Sequence, residues 1–342
     1  MTQSIHPSGV HGLLGQQQPT FFLCDMFSAP PKDDLASMEH PLFSLATRPD
    51  LSILRYAHNG AEIEITPSVK GRATIHDKDI LIYCTSQLMA ALNAGRAVAR
   101  TLHLTAHDLL TATNRETSGD AYTRLREAFE RLAGTRITTN LVQGAHEVTR
   151  GFGLIEEWEI VRRTRGGRMV QVRVTLSEWL FQAVLAKSVL TLNRAYFTLR
   201  RPLERRLYEL ARKHCGRQAD WRISLEVLQK KAGSASPRRV FRAMLRDIIA
   251  QGHLPDYDMV LGADDMLHVT PQASMIEAGP ELGPLAGATL EAARARLEAR
   301  AQGADVYALE AEWRGVWARS GRPKLRSPDK AFLGWIDKRA GA

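Results

Sequence analysis

The stretch WRISLEVLQKKAGSASPRRVFRAMLRDIIA, residues 221–250, decides the fold. Trp221-Arg222-Ile223 is short, apolar at alternate positions, and reads as a strand. Ser224 is an N-cap residue type placed directly before an apolar-periodic run, so a helix is expected over Leu225–Lys231. Gly233-Ser234-Ala235-Ser236 makes a turn. Pro237 fits the first position of a further helix, where its missing N–H is no loss. That helix is expected to reach Ala250 and to turn Val240, Phe241, Leu245, Ile248 and Ile249 inward. Arg238, Arg239, Arg242 and Arg246 are displaced from that face, with 238, 242 and 246 in an i, i+4, i+8 row. A helix with one face for a core and a second, cationic face that begins right after a tight turn suits entry into a DNA major groove.

The neighbours extend the pattern. Upstream, a helix is expected over Ala195–His214, closed by Gly216; downstream, Tyr257–Leu261 and Met266–Thr270 form a β pair joined by 262–265. The N-terminal half repeats this order. A helix over His76–Asn93 ends near Gly95, a strand follows at Arg100–Leu104, and Thr105 with Asp108 opens a second helix through Leu109 and Leu110. A third helix after Ser118-Gly119 places Tyr122, Leu125, Phe129 and Leu132 on one face and stops at Gly134. β-rich runs follow at Ile137–Val142, Phe152–Arg163 and Met169–Thr175, the last two joined by a turn at Arg165-Gly166-Gly167-Arg168. From the caps at Thr105 and Ser224, the next helix reaches its first core side chain, Tyr122 and Val240, after seventeen and sixteen residues.

Helix, strand, helix, turn, helix, hairpin is the winged-helix form of the helix-turn-helix. The competing reading is two unrelated α+β segments whose order coincides. The expected fold is therefore α+β: tandem winged-helix domains with a small C-terminal helical extension. Residues 1–34 read as a flexible tail, 35–190 as the first domain, 191–275 as the second and main DNA reader, 276–288 as a Gly/Pro-rich linker, and 289–342 as the extension. In that extension Leu309, Trp313, Val316 and Trp317 form one apolar stripe, and Phe332, Leu333, Trp335 and Ile336 a second cluster. The bland expectation is a small helical unit folding on itself or on the body; the alternative is a docking surface.

Charge sharpens the picture. The 342 residues carry 46 Lys+Arg against 37 Asp+Glu, a formal +9. From Leu190 to Pro255, fifteen Lys/Arg face five acids, so this segment holds all of the net charge and marks an electrostatic footprint. Within it Arg238, Arg239 and Arg242 sit early enough on their helix to meet bases, and Arg246 is expected to hold phosphate. Arginine's planar fork matches guanine O6 and N7 together. Ser234 and Ser236, at the positive end of the helix, are candidates for phosphate, as are Lys230 and Lys231. In the first half Arg115 and Arg124, with the turn residues Arg165 and Arg168, are assigned to phosphate. The alternative for all of these is a solvated basic face.

Other classes fit less well. No GxxxxGK[ST] loop is present, which removes P-loop ATP hydrolysis. A nicking enzyme needs paired metal-binding histidines on a strand and a nucleophilic tyrosine. His103 and His107 straddle a helix start, and Tyr122, Tyr196 and Tyr208 fall at core-like positions. Cys24, Cys84 and Cys215 are far apart, so neither a zinc cluster nor a disulfide framework is expected. No metal, cofactor or catalytic residue is assigned. The first residues carry no export signal and no apolar run reaches ~18 residues; a cytoplasmic protein without membrane contact is expected.

Five stretches resemble the replication initiator protein A family of plasmid proteins: FFLCDMFSAPPKDDLASMEHPLFSL (21–45), HNGAEIEITPSVKGRATIHDKDILIYC (58–84), TNRETSGDAYTRLREAFERLAGTRITTN (113–140), YFTLRRPLERRLYELARKHCG (196–216) and WRISLEVLQKKAGSAS (221–236). The resemblance implies tandem winged helices, repeated double-stranded origin sequences (iterons) as ligand, the C-terminal winged helix as the major-groove reader, and no catalytic activity. By analogy it also implies monomers that open the origin, homodimers through the first domain that do not, and a host initiator, helicase or helicase loader as partner.

Overall fold

The computed structural model describes residues 30–58, 61–143, 146–162, 169–216, 218–272, 282, 285–298, 306–319 and 325–340 of a mixed α+β chain. The end of the expected tail belongs to the fold. Lys32–Asp34 forms β1, paired antiparallel with Val189–Thr191, and the Asp34 side chain accepts from Ser37 N at 2.8 Å to cap α1 (Leu35–Glu39). Three residues are too few to show periodicity, and their partner lies about 157 residues on, so pattern reading missed them. A hairpin follows, β2 (Leu54–His58) and β3 (Ala61–Thr66).

The first unit proper begins with α2 (Lys78–Asn93), whose first three turns are buried on every face. β4 (Thr101–Leu104) leads to α3 (Ala106–Ala112), capped by Thr105 Oγ1 accepting from Asp108 N at 3.1 Å, and then to α4 (Gly119–Gly134). The hairpin β5 (Arg136–Gln143) and β6 (His146–Gly153) is inserted before β7 (Ile155–Arg162) and β8 (Met169–Leu176). Two antiparallel sheets result, ordered β2-β3-β5-β6 and β4-β8-β7. The expected single run Phe152–Arg163 is thus two strands in different sheets. The chain changes sheet at Gly153-Leu154, where a Cβ on Gly153 would stand 3.1 Å from the Ile155 carbonyl oxygen. α5 (Glu178–Leu185) and β9 (Val189–Thr191) close the unit.

The second unit opens with a 3-10 turn (Arg194–Thr198) and α6 (Pro202–His214). The single helix expected over Ala195–His214 is broken because a residue preceding proline is pushed out of helical conformation; Arg201 sits at φ −85°, ψ 130°, and Pro202 restarts the helix. Then come β10 (Trp221–Ser224), α7 (Leu225–Ala232), a left-handed Gly233 (φ +69°), α8 (Arg238–Gln251), β11 (Tyr257–Leu261) and β12 (Met266–Pro271), with sheet order β10-β12-β11. Ser224 caps α7 as expected, its Oγ accepting from Val227 N at 3.4 Å. Pro237 is the N-cap of α8 (φ −54°, ψ 143°), one place earlier than expected. The two units share one plan: helix, strand, helix, helix, two strands, with the short strand paired to the last strand in each.

Each unit has its own core. Ile65, Ile80, Leu125, Phe129 and Val174 lie in the first; Leu207, Tyr208, Leu228, Phe241, Leu245 and Val269 lie in the second. The second core also takes Ile82 from α2 and Met38 from α1, so the units are packed together through apolar surface. Val240 is 42% exposed and Tyr122 only half-buried. The first buried side chains of α4 and α8 are instead Ala121 and Phe241, sixteen and seventeen residues after the two caps. The described residues of the C-terminal extension form α9 (Gly287–Glu298), α10 (Val306–Arg319) and α11 (Pro328–Ala340), around Leu297, Leu309, Trp313, Phe332 and Ile336; Val316 stays 37% exposed. Most of the expected linker 276–288 falls outside the described residues.

Candidate nucleic-acid interface

At 3.6 residues per turn, Phe241, Leu245 and Ile248 fall on one line of α8, and all three are buried. Arg239 and Arg246 are seven apart and lie about 150° around the axis from that line. Both are exposed, and neither has an ion-pair partner among the described residues. Exposed Ala243 lies between them, a position the sequence reading did not single out. α8 is approached through Gly233, where two features demand glycine. Its φ is left-handed, and a Cβ there would stand only 2.7 Å from Pro41 Cβ.

The other two arginines are held by acids. Arg242 forks onto Asp265 of the β11–β12 turn, Nε to Oδ1 at 3.0 Å and Nη2 to Oδ2. Arg238 Nη2 lies 3.3 Å from Glu226 Oε2, and Lys230 Nζ lies 3.0 Å from Glu226 Oε1. The Lys230 hydrogen bond holds the Glu226 carboxyl below its ordinary range. Ser234 and Ser236 are half-buried in the turn. Ser234 Oγ accepts from Ser236 N at 3.4 Å, and the Ser236 carbonyl accepts from Gln229 Nε2 at 2.5 Å. No side chain caps α8, and the N–H groups of Arg238 and Arg239 have no acceptor among the described residues.

Lys231 does not join this surface. Its side chain is buried and its ammonium pairs with Glu39 of α1. The same is true of much of the basic segment. Arg205 Nη1 meets Asp79 Oδ1 at 2.5 Å, and Arg206 Nη1 meets Glu209 Oε2 at 3.0 Å and the carbonyls of Ser37 and Met38 at 3.0 and 3.1 Å. Lys213 pairs with Glu39 at 2.5 Å. The +10 counted along the chain is therefore partly internal, neutralised by acids from the first unit.

In the first unit, Arg115 turns inward rather than toward a ligand. Its Nη2 lies 2.9 Å from Asp79 Oδ2 and also donates to the His76 carbonyl. Arg124 is exposed, with Glu116 at 3.8 Å. The rest of α4's outer face is neutralised: Arg126 with Glu130 at 3.1 Å, and Arg131 bidentate on Asp77 at 2.7 and 2.8 Å. Arg165 and Arg168 lie outside the described residues.

Of the tyrosines weighed as nucleophiles, Tyr122 is half-buried and the other two are engaged. Tyr196 donates to Glu209 Oε1 at 2.8 Å, and Tyr208 donates to Asp256 Oδ2 at 2.9 Å while accepting from Asn193 N at 2.7 Å. Burial pushes both phenols well above their ordinary value. His103 is exposed, and His107 lies 3.6 Å from Asp108. Among the described residues no three His, Cys, Asp or Glu side chains converge on a metal position. Asp265, Glu226 and Glu39 are the members of the site that the sequence reading missed. Asp265 and Glu226 had local signals, the first as an acid in the turn of an expected hairpin and the second in its i, i+4 spacing to Lys230; Glu39 had none.

Residues 32–259 match the model of a family described as replication initiator protein A. A curated protein of Wigglesworthia glossinidia brevipalpis named "Putative replication protein" is 36% identical over 231 residues, 67% of this chain and 84% of that protein. Among solved structures, domains 2 and 3 of RctB superpose with a TM-score of 0.51 at 15% identity, covering 69% of this chain and 96% of that one, a likeness of fold. No helix among the described residues is long and apolar enough to cross a membrane.

Proposed function

Because the chain belongs to the replication initiator protein A family, we propose that it starts plasmid replication by binding repeated origin sequences through two winged helices, with α8 of the second as the major-groove reader. Bound origin is then opened and host replication proteins (initiator, helicase or helicase loader) are recruited. The observation that carries this reading is the outward line of α8. Arg239 and Arg246 stand free on the side opposite the core, after a glycine-dependent turn and beside the β11–β12 pair. The shared order of elements in the two units supports the winged-helix assignment. A 14-residue helix is about 21 Å long, enough to follow a major groove about 12 Å wide.

The reading is of a binding protein without catalytic activity, working in the cytoplasm. In support, Tyr196 and Tyr208 are buried and hydrogen-bonded. A homodimer through the first domain has a place to form, since β2 and β6 are the edges of the four-stranded sheet. The test is a footprint of the purified protein on the origin adjacent to its own gene. Protection of repeated sequence by the wild-type chain, lost in Arg239→Ala/Arg246→Ala, is expected. Equal protection of repeats and random flanking DNA would overturn the reading.

A further inference from the structure

A cleft of about 800 Å³ lies where the two units meet, walled by α4 and the α3–α4 turn on one side and by residues 197–200 on the other. Six arginines line it: Arg48, Arg115, Arg124, Arg131, Arg200 and Arg205. They come from five separate segments of the chain. The acids around them are Asp77, Glu116 and Glu127 in the wall, and Asp79 behind Arg115 and Arg205. Six guanidiniums against four carboxylates leave an excess of two positive charges. His76 adds none, because burial and the neighbouring Arg205 lower it to about 4.

The excess can be located. Arg131 is bidentate on Asp77, Arg115 and Arg205 share the two oxygens of Asp79, and Arg124 stands 3.8 Å from Glu116; the fourth acid, Glu127, offsets the one charge left over among these four arginines. Arg48 and Arg200 are exposed and have no partner among the described residues. Two guanidiniums from chain positions 152 apart thus project into one cleft whose other arginines are fixed by their own acids. Such a place recruits an anion with planar, forked recognition, that is, phosphate.

We propose that this cleft is a phosphate site that takes the sugar–phosphate backbone of duplex DNA, with Arg48 and Arg200 as its free donors. The assignment rests on the DNA-binding reading above. α4 and the α3–α4 turn occupy in the first unit the place that α8 and its turn occupy in the second. A duplex seated on them lays a backbone along the wall that Arg48 and Arg200 face. A free nucleotide suits the cleft less well: its aromatic wall residues among those described are Phe197, buried in the second core, and the half-buried His76, which leaves no exposed platform for a base.

The test compares wild type with Arg48→Ala/Arg200→Ala on a labelled origin duplex by fluorescence anisotropy between 50 and 200 mM salt. Lys330→Ala/Lys338→Ala, exposed on α11, serves as a reference of equal charge. Loss of two phosphate contacts lowers the slope of log affinity against log salt by about 1.8. The ratio of affinities at the two salt concentrations then shrinks about tenfold for the cleft variant and stays near wild type for the reference. Both cleft side chains are exposed, and an unchanged melting curve confirms the fold. An unaltered slope in the cleft variant, with wild-type binding intact, overturns the proposal while leaving the DNA-binding reading standing. Wild type that ignores origin DNA sinks that reading first. In a second arm, calorimetry with inorganic tripolyphosphate separates the sources. Saturable one-to-one binding that the cleft variant loses, with no change in its duplex slope, makes a free polyphosphate the occupant and overturns the backbone assignment.

Discussion

Arg242 on α8 and Asp265 in the β11–β12 turn are joined fork to fork, Nε to Oδ1 at 3.0 Å and Nη2 to Oδ2. Asp265 is also the carbonyl that receives Leu225 N at 2.8 Å, so this one turn residue fixes the start of α7 and the flank of α8 together. Its φ of +59° is a conformation that Asp and Asn tolerate better than most residues. Asp265→Asn therefore keeps the backbone while it removes an anion from the proposed DNA face and frees Arg242. The expected outcome is tighter binding to random duplex, on the order of tenfold at 0.1 M salt, with a salt slope steeper by about 0.9. Binding to the repeats is expected to gain less, so the specificity ratio falls. Anisotropy titrations on both duplexes check it; a ratio that stays constant contradicts a selective role for the pair.

The arginines of α8 and the lysines of α7 separate by placement. Arg239→Ala is expected to cost about 1–3 kcal/mol on the repeats and to relax preference at one base pair, whereas Arg246→Ala, at a phosphate position, should weaken all sequences alike. Lys230→Ala is expected to weaken all sequences alike. Lys231→Ala belongs to a different class, because its ammonium is buried against Glu39. It should lower the denaturant midpoint, leave binding per folded molecule unchanged, and leave the salt slope alone. A salt slope reduced by about one unit in Lys231→Ala would place that side chain on the DNA after all.

What the sequence made legible was local. The caps at Thr105 and Ser224, the Gly233 turn and the pair 257–271 depend on residues within a few positions of one another, and each lies within a residue or two of where the pattern puts it. The break at Pro202 was equally local and was overridden only by the apolar pattern on either side of it. β3 carried a plain period-two signal in Glu62-Ile63-Glu64-Ile65, and the dipeptide Asn59-Gly60 named β2 as its hairpin partner, whereas nothing nearby named β5. The charge reading failed for a different reason. Composition cannot tell an arginine that faces water from one that meets a carboxylate far along the chain. Arg205 finds Asp79 126 residues away, and Lys231 finds Glu39 192 residues away. Arg239 and Arg246 stay exposed and without an ion pair because no acid among the described residues reaches that side of α8.

The junction between the units supplies a third expectation. Lys78 Nζ is buried between Asp33 Oδ2 at 2.6 Å and Glu209 Oε1 at 3.0 Å, so one ammonium ties β1, α2 and α6. Lys78→Met removes the cation and leaves Asp33 in the interior without its ion pair, while Glu209 keeps Arg206 and Tyr196. Breaking one partner of a buried ion pair is expected to cost about 3–5 kcal/mol. Because Ile82 and Met38 also pack into the second core, both units should lose stability together. Urea unfolding followed by tryptophan fluorescence and by circular dichroism should show one coincident transition at a lower midpoint. A loss below about 1 kcal/mol would mean that water already reaches the junction.

Acid should act on this protein in two steps, and the sign of each follows from the groups concerned. His40 packs edge-on against Tyr56 and faces Glu39, Lys213, Arg206 and Lys231; burial lowers it to about 4 from 6.5. His76 is lowered to about 4 by burial and by Arg205, with Asp79, Arg115 and Asp77 also around it. Both rings stay neutral in the folded chain while the unfolded chain takes up protons below pH 6.5, so stability falls from pH 6.5 toward 4. A full shift of this size corresponds to about 3 kcal/mol per ring, and solvent screening of these incompletely buried rings lowers the expectation to about 1–2 kcal/mol each. The second step belongs to Glu39. The hydrogen bond with His214, aided by Lys213 and Lys231, holds its carboxyl well below the usual range. Its contribution is present above the unfolded value near 4.5 and is lost as pH falls below it. Urea midpoints measured from pH 7.5 to 3 check both steps. His40→Gln/His76→Gln should flatten the limb between 6.5 and 4, whereas Glu39→Gln should lower stability at pH 7 by about 1–2 kcal/mol and flatten only the limb below 4.5. If the histidine variant leaves the upper limb as steep as in wild type, the buried imidazoles are not what acid attacks first.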